Sequence, residues 1–295
     1  NGAKAAAAKE KNVSVTIAAG KEDGDEDGQV QAIEQSIARG DNGILITPSG
    51  PGVNPAIAKA RDAGLFVIAL DTPPDPPDTV DITFATDNFQ AGDLVGKWAA
   101  GTLGDKSKDA KIALLNLNAQ QITVDYMRNQ GFMSGFGIDI KDKTRIGDED
   151  DSRIVGNEAS NSNEGGGRTA MESLLQVNPE INLVYTINEP AAAGAHEAIK
   201  AAGLEDQINI VTIVDGCPGV NNVKQGIIGA TSMQFPLQMA SMGVEAIKTF
   251  VESGKKPQAL DGLDFVDTGT ELVTDHPVEG TKSMSSEEAL KKCWG

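Results

Sequence analysis

Six polar residues lie at the ends of predicted strands or the starts of predicted helices, where open α/β sheets bind their ligands. They are Asp71, Thr72, Arg128, Asn188, Asp215 and Gln234. Carboxylates accept hydrogen bonds from hydroxyl groups, whereas guanidinium and amide groups donate to them. The set therefore suits a small polyhydroxylated ligand. Local structure offers an alternative for several members: Asp71 would cap a turn, Asn188 would cap a helix, and Arg128 would be an exposed helix residue.

The sequence shows little that would carry out catalysis. Its two histidines are His196, in an Ala-rich helical segment, and His276, in a loop before a proline. A dinucleotide fingerprint, a P-loop, a nucleophile elbow and a CxxC pair are all missing. The glycines at 165–167 before Arg168 could bind an anion at a helix start, but such a run is more often a flexible turn. We expect a binding protein, with no cofactor.

One segment matches the spacing of a calcium loop. Its candidate ligands are Asp23, Asp25, Asp27 and Glu34, with Gly28 at the bend. Hard oxygen ligands around a glycine suit calcium. However, the segment joins a predicted strand to a helix, and the helix that should precede it is absent. We therefore expect a solvated acidic loop without a metal.

Length and charge narrow the class of protein. The 295 residues suffice for two domains, and the net charge is −18 at pH 7. Such a surface repels nucleic acid and anionic membranes. The apolar runs are shorter than the roughly 18 residues that a membrane helix needs. No signal peptide is visible, so we expect a processed or partial chain.

The two cysteines, Cys217 and Cys293, allow two interpretations. An even, minimal count fits one disulfide in an exported protein, and the alternative is two unrelated buried thiols. The disulfide is favoured because Cys293 lies in a polar tail, where a free thiol has no reason to pack.

Strands and helices alternate along the chain, which predicts parallel sheets covered by helices on both faces. The predicted strands are 13–18, 43–47, 65–70, 82–86, 111–117, one near Ile154, 181–187 and 208–214. The predicted helices are 29–39, 51–63, 89–103, 122–135, 169–176 and 191–202. The polar stretch GDKSKD at 104–109 interrupts the pattern and is interpreted as a crossing between two lobes.

Two segments repeat the same order of features. Residues 43–71 and 182–215 each contain a strand, a turn with proline, an Ala-rich helix, a second strand and then an aspartate. Chance similarity of two βαβ units is the alternative. If the repeat is real, two similar lobes each place an aspartate, Asp71 or Asp215, at the carboxyl edge of a sheet.

Five short motifs follow one another along the chain in an order and spacing that can be compared with known families. They are IALDT at 68–72, MRNQGF at 127–132, TINEP at 186–190, VDGCPG at 214–219 and GATSMQFP at 229–236. In order and spacing they resemble the periplasmic sugar-binding proteins of ABC importers, of the ribose- and galactose-binding type. The resemblance covers essentially the whole chain. GFGID, GDEDD, INEPAAAGA and the terminal KKCWG are most similar to the fructose-binding branch.

The resemblance implies roles for the polar residues. Asp71 would bind sugar hydroxyls from the N-terminal lobe, Arg128, Asn188 and Asp215 would hold the ring from the C-terminal lobe, and Gln234 would add one bond near a lobe crossing. Ribose-type members have Arg where this chain has Thr72, which argues against ribose. The family's first strand is expected to precede Asn1, and its C-lobe aromatic has no match near Ser160–Asn163.

The resemblance also implies the fold: two Rossmann-like α/β lobes with parallel sheets, joined by a three-segment hinge as in type I periplasmic binding proteins. We expect an N-terminal lobe of 1–105 with 236–258 and a C-terminal lobe of 106–235 with 259–295. The expected partners are a monosaccharide in the cleft between the lobes, on which a hinge closes, and a membrane permease with its ATPase. The resemblance also implies that the protein is monomeric, is exported to the periplasm and is not an enzyme.

Two other classes remain to be considered. A sugar-responsive transcription regulator would share this core but would need a basic DNA-binding headpiece, and the acidic composition argues against one. An α/β enzyme that acts on a sugar or sugar phosphate would need a nucleophile or a metal among the polar residues.

Overall fold

The computed structural model describes residues 1–21, 25–214, 216–259 and 262–294. The helices of this part of the chain are α1 (Gly2–Ala7), α2 (Glu26–Arg39), α3 (Asn54–Asp62), α4 (Asn88–Leu103), α5 (Thr123–Phe136), α6 (Glu164–Val177), α7 (Glu189–Ala201), α8 (Cys217–Lys224), α9 (Pro236–Ser253) and α10 (Ser286–Ala289). The strands are β1 (Gly43–Ile46), β2 (Phe66–Leu70), β3 (Ile82–Ala85), β4 (Ile112–Asn116), β5 (Ile154–Ala159), β6 (Leu183–Thr186), β7 (Asn209–Val214), β8 (Ala230–Gln234), β9 (Val266–Asp267) and β10 (Thr270–Val273).

The chain divides into two compact units. The first unit contains Asn1–Thr86 and Phe235–Gly269, and the second contains Asp87–Gln234 and Thr270–Gly295. The chain therefore passes between the units three times. The first passage falls before α4, whereas the sequence pattern placed it in GDKSKD at 104–109. That stretch instead forms a 3₁₀ helix within the second unit.

The position of α4 explains this shift. Its glycines face α5 so closely that a Cβ at Gly92 would lie 2.1 Å from the carbonyl oxygen of Arg128, and one at Gly96 would lie 2.2 Å from that of Phe132. Glycine lets the two backbones meet, because any side chain there would clash. Helix α4 is thus fixed to α5 of the second unit. The first boundary therefore lies after residue 86 instead of 105. The second lies after 234, one residue from the predicted 235, and the third lies after 269 instead of 258.

The sheet of the first unit has the order β1-β2-β3-β9, and all its strand pairs are parallel. Val67 and Ala69 pack with residues of α2 and α3. Phe66 and Ile68 pack with residues of α9. Because successive side chains of a strand point to opposite faces, these helices cover both faces of the sheet.

The segment 13–18 is not a strand, although its β-branched residues predicted one. Among the described residues, β1 pairs only with β2, so the segment is not paired with any strand. A cavity of about 900 Å³ lies between 12–18 and β1, and residues of α2 and α9 also line it. Extended backbone forms a strand only when a neighbour completes its hydrogen bonds.

The sheet of the second unit has the order β10-β8-β7-β6-β4-β5. Its pairs are parallel except for β10 with β8, which is antiparallel. The repeat found in the sequence corresponds to β1–α3–β2 and β6–α7–β7, and each is a parallel βαβ unit. The fold class is confirmed: parallel sheets covered by helices, in two units. Within the described ranges, no helix is long and apolar enough to span a membrane.

Candidate functional site

Arg128 lies in α5 and is 9% exposed, so it is not the exposed helix residue of the simpler interpretation. Its Nε donates to Asn88 Oδ1 at 2.8 Å, and its Nη1 donates to the carbonyl oxygen of Ile187 at 3.1 Å. A buried guanidinium is stable only when it is paired by such bonds. Its plane is therefore fixed at the carboxyl edge of the second sheet, between α4 and the end of β6.

Gln234 is the last residue of β8 and is 6% exposed. Its Nε2 donates to the same Asn88 Oδ1, at 3.2 Å. Asn88, the first residue of α4, thus brings Arg128 and Gln234 together. The sequence prediction did not include Asn88. The rule that selected the other residues would have found it, because it follows β3 and begins a helix.

Asn188 is half-buried and caps α7, as its local interpretation predicted. Its Oδ1 accepts from the backbone N–H of Ala191 at 3.1 Å, and its Nδ2 donates to Ser162 Oγ at 2.6 Å. Its neighbour in the chain, Ile187, accepts from Arg128. Arg128, Gln234 and Asn188 are consequently linked along one edge of the second sheet. Asn88 connects Arg128 to Gln234 by hydrogen bonds, and Ile187 connects Arg128 to Asn188 through the chain.

Asp71 and Thr72 follow β2 of the first unit and are exposed. Asp71 has φ 69°, in the left-handed region that residues other than glycine adopt at a cost. Its N–H donates to the carbonyl oxygen of Phe84 at 2.8 Å, and Thr72 Oγ1 donates to Asp71 Oδ2 at 3.2 Å. The structure therefore holds the Asp71 backbone in an unusual conformation at the carboxyl end of a strand, a feature that clusters at functional positions.

Asp215 lies outside the described residues. Cys217, two residues further along the chain, is covalently fixed. Cys217 and Cys293 form a disulfide, which confirms that prediction, and their Cα atoms are 5.1 Å apart. The N–H of Cys217 donates to the carbonyl oxygen of Trp294 at 2.9 Å. The C-terminal tail is thus bonded twice to the start of α8, two residues after Asp215.

A group of buried polar side chains supports the loop after β4. Asn129 Nδ2 donates to Asn116 Oδ1 at 2.6 Å, and Asn116 Nδ2 donates to Asn157 Oδ1. Asp125 is fully buried, and its Oδ1 accepts from the N–H of Leu117 at 2.9 Å. Burial raises the pKa of Asp125, although the backbone N–H groups of Leu117 and Asn118 and the charge of Arg128 act against it.

The raised pKa of Asp125 gives a pH-dependent prediction. A carboxyl group whose folded pKa is raised favours folding while it is protonated, and this contribution is lost as pH rises from its ordinary value of 3.8 through the folded pKa. The wild type loses this stability between pH 4 and pH 7, whereas Asp125→Asn does not titrate. We therefore expect the Tm of Asp125→Asn minus that of the wild type to be more positive at pH 7 than at pH 4. Thermal melting of both proteins across this range measures it.

Asp151 supplies a control of opposite sign. The hydrogen bond from the Arg153 side chain lowers the pKa of Asp151, so this carboxylate stabilises the fold at neutral pH and loses its effect as pH falls. Asp151→Asn should therefore melt further below the wild type at pH 7 than at pH 4. The same pH trend in both variants would contradict the assignment for Asp125.

Two other predicted features take part in local structure. Asp25 is the N-cap of α2, where its Oδ1 accepts from the N–H of Gly28, so Gly28 is helical rather than the bend of a calcium loop. Glu34 pairs with Lys59, while Asp23 lies outside the described residues. The glycines at 165–167 are not a flexible turn; they form the first turn of α6. No group of three or more metal-ligating side chains occurs in the described ranges.

The comparisons with known proteins place the chain in a family. The sequence profile of the periplasmic binding protein domain matches residues 1–256. The galactofuranose-binding protein YtfQ of Escherichia coli K12 is 26% identical over 260 residues, which is 86% of this chain and 77% of that protein. The D-ribose/D-allose-binding protein of Pseudomonas aeruginosa is 26% identical over 263 residues, 86% and 76% of the two chains.

Solved structures are similar over nearly their whole length. An ABC transporter solute-binding protein from Agrobacterium vitis with bound D-fucose has 26% identity and a TM-score of 0.72, covering 100% of this chain and 93% of that one. A periplasmic solute-binding protein from Actinobacillus succinogenes with bound D-allose shares the fold at 23% identity, with a TM-score of 0.76 and coverage of 92% and 90%. With its parallel sheets in two units and its profile match over residues 1–256, the chain belongs to the periplasmic binding protein family.

Proposed function

We propose that this protein binds a monosaccharide outside the cytoplasm and delivers it to the membrane permease of an ABC importer. The observation that carries the proposal is the linked set of Arg128, Gln234 and Asn188 at the carboxyl edge of the second sheet. Ligands of open α/β sheets bind at this edge. Relatives named for galactofuranose, ribose and allose support a sugar as the ligand.

The chemistry of the set suits vicinal hydroxyl groups. Arg128 donates hydrogen bonds, Asn188 and Gln234 both donate and accept, and the carboxylates of Asp71 and Asp215 accept from hydroxyl donors. A sugar hydroxyl both donates and accepts, so such a mixture can bond a whole ring. We propose that both units contribute to this one ligand, and that a hinge closes on the sugar.

The finer proposal is a hexose of the fructose type, with a pentose or a polyol as the alternative. It rests on the motifs GFGID, GDEDD, INEPAAAGA and KKCWG, and on Thr72, which stands where ribose-type proteins have Arg. Thr72 is shorter than Arg and neutral, and its hydroxyl donates to Asp71. Thr72 leaves more room beside Asp71 than an arginine would, and this favours a sugar larger than ribose.

A thermal-shift screen tests the proposal. The protein is melted with pentoses, hexoses, 6-deoxyhexoses and polyols at millimolar concentration. A ligand that binds only the native state raises stability by RT ln(1 + [L]/Kd), about 2.7 kcal/mol at 100 times the Kd, so the cognate sugar should stand out. Titration calorimetry then measures its affinity. If no sugar raises the Tm or releases heat, the proposed function is wrong.

A further inference from the structure

Asn88 Oδ1 accepts hydrogen bonds from two proposed sugar-binding side chains, Arg128 Nε at 2.8 Å and Gln234 Nε2 at 3.2 Å. A carboxamide oxygen has two lone pairs, so these bonds fill its accepting capacity. We propose that Asn88 is a positioning residue that orients Arg128 and Gln234 for the sugar. The inference rests on the proposed function and adds a residue that the sequence pattern did not select.

Arg128 and Gln234 have long side chains with many rotamers. Ordering them only when a ligand arrives would reduce affinity, whereas groups already held in the binding geometry avoid that loss. Asn88 holds both from one atom. For Arg128 there is a second anchor, since Nη1 donates to the carbonyl oxygen of Ile187. Two bonded nitrogens fix the plane of the guanidinium, and that plane sets the direction of its hydrogen bonds.

The start of α4 does not depend on the side chain of Asn88. Asp87 is the N-cap of this helix, and its Oδ1 accepts from the N–H of Gln90 at 2.9 Å. Asn88 is the first helical residue, and its carboxamide oxygen is directed at Arg128 and Gln234. The capping role and the positioning role thus belong to neighbouring residues, which makes them separable by mutation.

The backbone of Asn88 is fixed by the contact between α4 and α5. Each helix carries a Gly-xxx-Gly pair that faces the backbone of the other, and a Cβ on any of the four would lie 2.1–2.2 Å from a carbonyl oxygen: Gly92, Gly96, Gly131 and Gly135. This contact sets the register of the two helices, because each glycine admits one position of the neighbouring chain. Gly92 meets the carbonyl oxygen of Arg128 itself, so Asn88 and Arg128 keep a constant spacing.

Three variants test the inference against the cognate sugar from the screen. Asn88→Ser keeps a residue that suits a helix start but is too short to accept from both partners, and we expect it to weaken binding about tenfold, or 1.4 kcal/mol. Asn88→Asp keeps an acceptor oxygen at the same place and should stay within about threefold of the wild type. The control is Asn54→Ala, at the first position of α3, where the side chain donates to the carbonyl oxygen of Asp75; it should leave affinity unchanged.

A measurement without sugar separates this inference from the proposed function. Asn88→Ser, Gln234→Leu and the double variant are melted in buffer alone. If Asn88 holds Gln234, each single variant already breaks the bond between the two side chains. The loss of Tm in the double variant should then be clearly smaller than the sum of the two single losses. Additive losses overturn the inference even if a sugar binds. Equal affinity of Asn88→Ser and the wild type overturns it too. A wild type that binds no sugar refutes the proposed function, while the melting cycle still decides whether Asn88 holds its neighbour.

Discussion

Replacing Arg128 by Met is expected to lower the affinity for the cognate sugar at least 100-fold. Hydrogen bonds to a charged group contribute roughly 1.5–3 kcal/mol each, and two such bonds to a sugar exceed the 2.8 kcal/mol that corresponds to two decades. The loss is larger than for Asn88→Ser, which disorders the guanidinium without removing it. Calorimetric titration of the folded variant measures the change.

A second variant separates charge from geometry. Arg128→Lys keeps the positive charge but has a single flexible ammonium in place of the planar fork. Because Nε and Nη1 bond to two different partners, Asn88 and Ile187, lysine cannot reproduce both bonds. We expect Arg128→Lys to lose at least tenfold in affinity.

Arg168 is the matched control for these variants. It lies on α6 with its side chain 56% exposed and forms an i,i+4 pair with Glu172. Exposed pairs of this kind contribute only about 0–1 kcal/mol, so Arg168→Met should bind sugar like the wild type. Wild-type affinity in Arg128→Met, together with a normal melting curve, would remove Arg128 from the site.

The alternation of strands and helices was predictable because the strands are continuous apolar runs. Each residue of β4 is buried, and the predicted strand 111–117 contains the observed Ile112–Asn116. The segment 13–18 has equally good strand residues but no neighbouring strand, so its composition alone misled the prediction. Strand formation depends on a partner, which a local pattern does not reveal.

The first boundary between the units differs from the predicted one for another reason. Pattern breaks such as GDKSKD at 104–109 mark the ends of elements, whereas a boundary depends on which elements pack together. Helix α4 joins the second unit through backbone contacts at Gly92 and Gly96. Glycines in the middle of a helix are a sequence signal for such close packing, and here they were the better guide to the boundary.

The linkage of polar side chains at this sheet edge could be predicted in part from the sequence. Arg128, Asn188 and Gln234 were selected by their positions at the ends of strands and on helices, and the structure links them. Asn88 was missed, although it fits the same rule. The burial of Asp125 was not predicted, because a carboxylate in the first turn of a helix is usually exposed, whereas this one is fully buried. Burial is set by the packing of α5 on the sheet, which the local pattern does not specify.

Removing the disulfide is expected to cause the largest loss of stability. Cys217 and Cys293 are 76 residues apart in the chain. In the chain-entropy account, a link that closes a loop of this length stabilises the native state by about 4 kcal/mol, because it restricts the unfolded chain. Cys293→Ser should therefore unfold at clearly lower denaturant concentration than the wild type. Both tryptophans, Trp98 and Trp294, belong to the second unit, so their fluorescence follows the unfolding of this unit.

The same link should affect binding, but less strongly. Cys217 lies two residues after Asp215, and the tail restrains it both through the disulfide and through the bond from its N–H to the carbonyl oxygen of Trp294. When the tail is released, the segment that carries Asp215 loses this restraint, and we expect a loss of affinity of a few fold.

The reduced wild type is the control that isolates the covalent bond from the change of side chain. Reduction breaks the bond but leaves both sulfur atoms in place. The unfolding midpoint of the reduced wild type should therefore be as low as that of Cys293→Ser measured without reductant. Adding reductant to Cys293→Ser should then change nothing, since this variant has no bond to break. If the variant is much less stable than the reduced wild type, packing of the Cys293 side chain is responsible. If neither differs from the oxidised wild type, the disulfide does not stabilise the second unit, and the tail is held there by noncovalent contacts such as the Trp294 bond, the packing of α10 on α8 and the pair of Lys292 with Glu271.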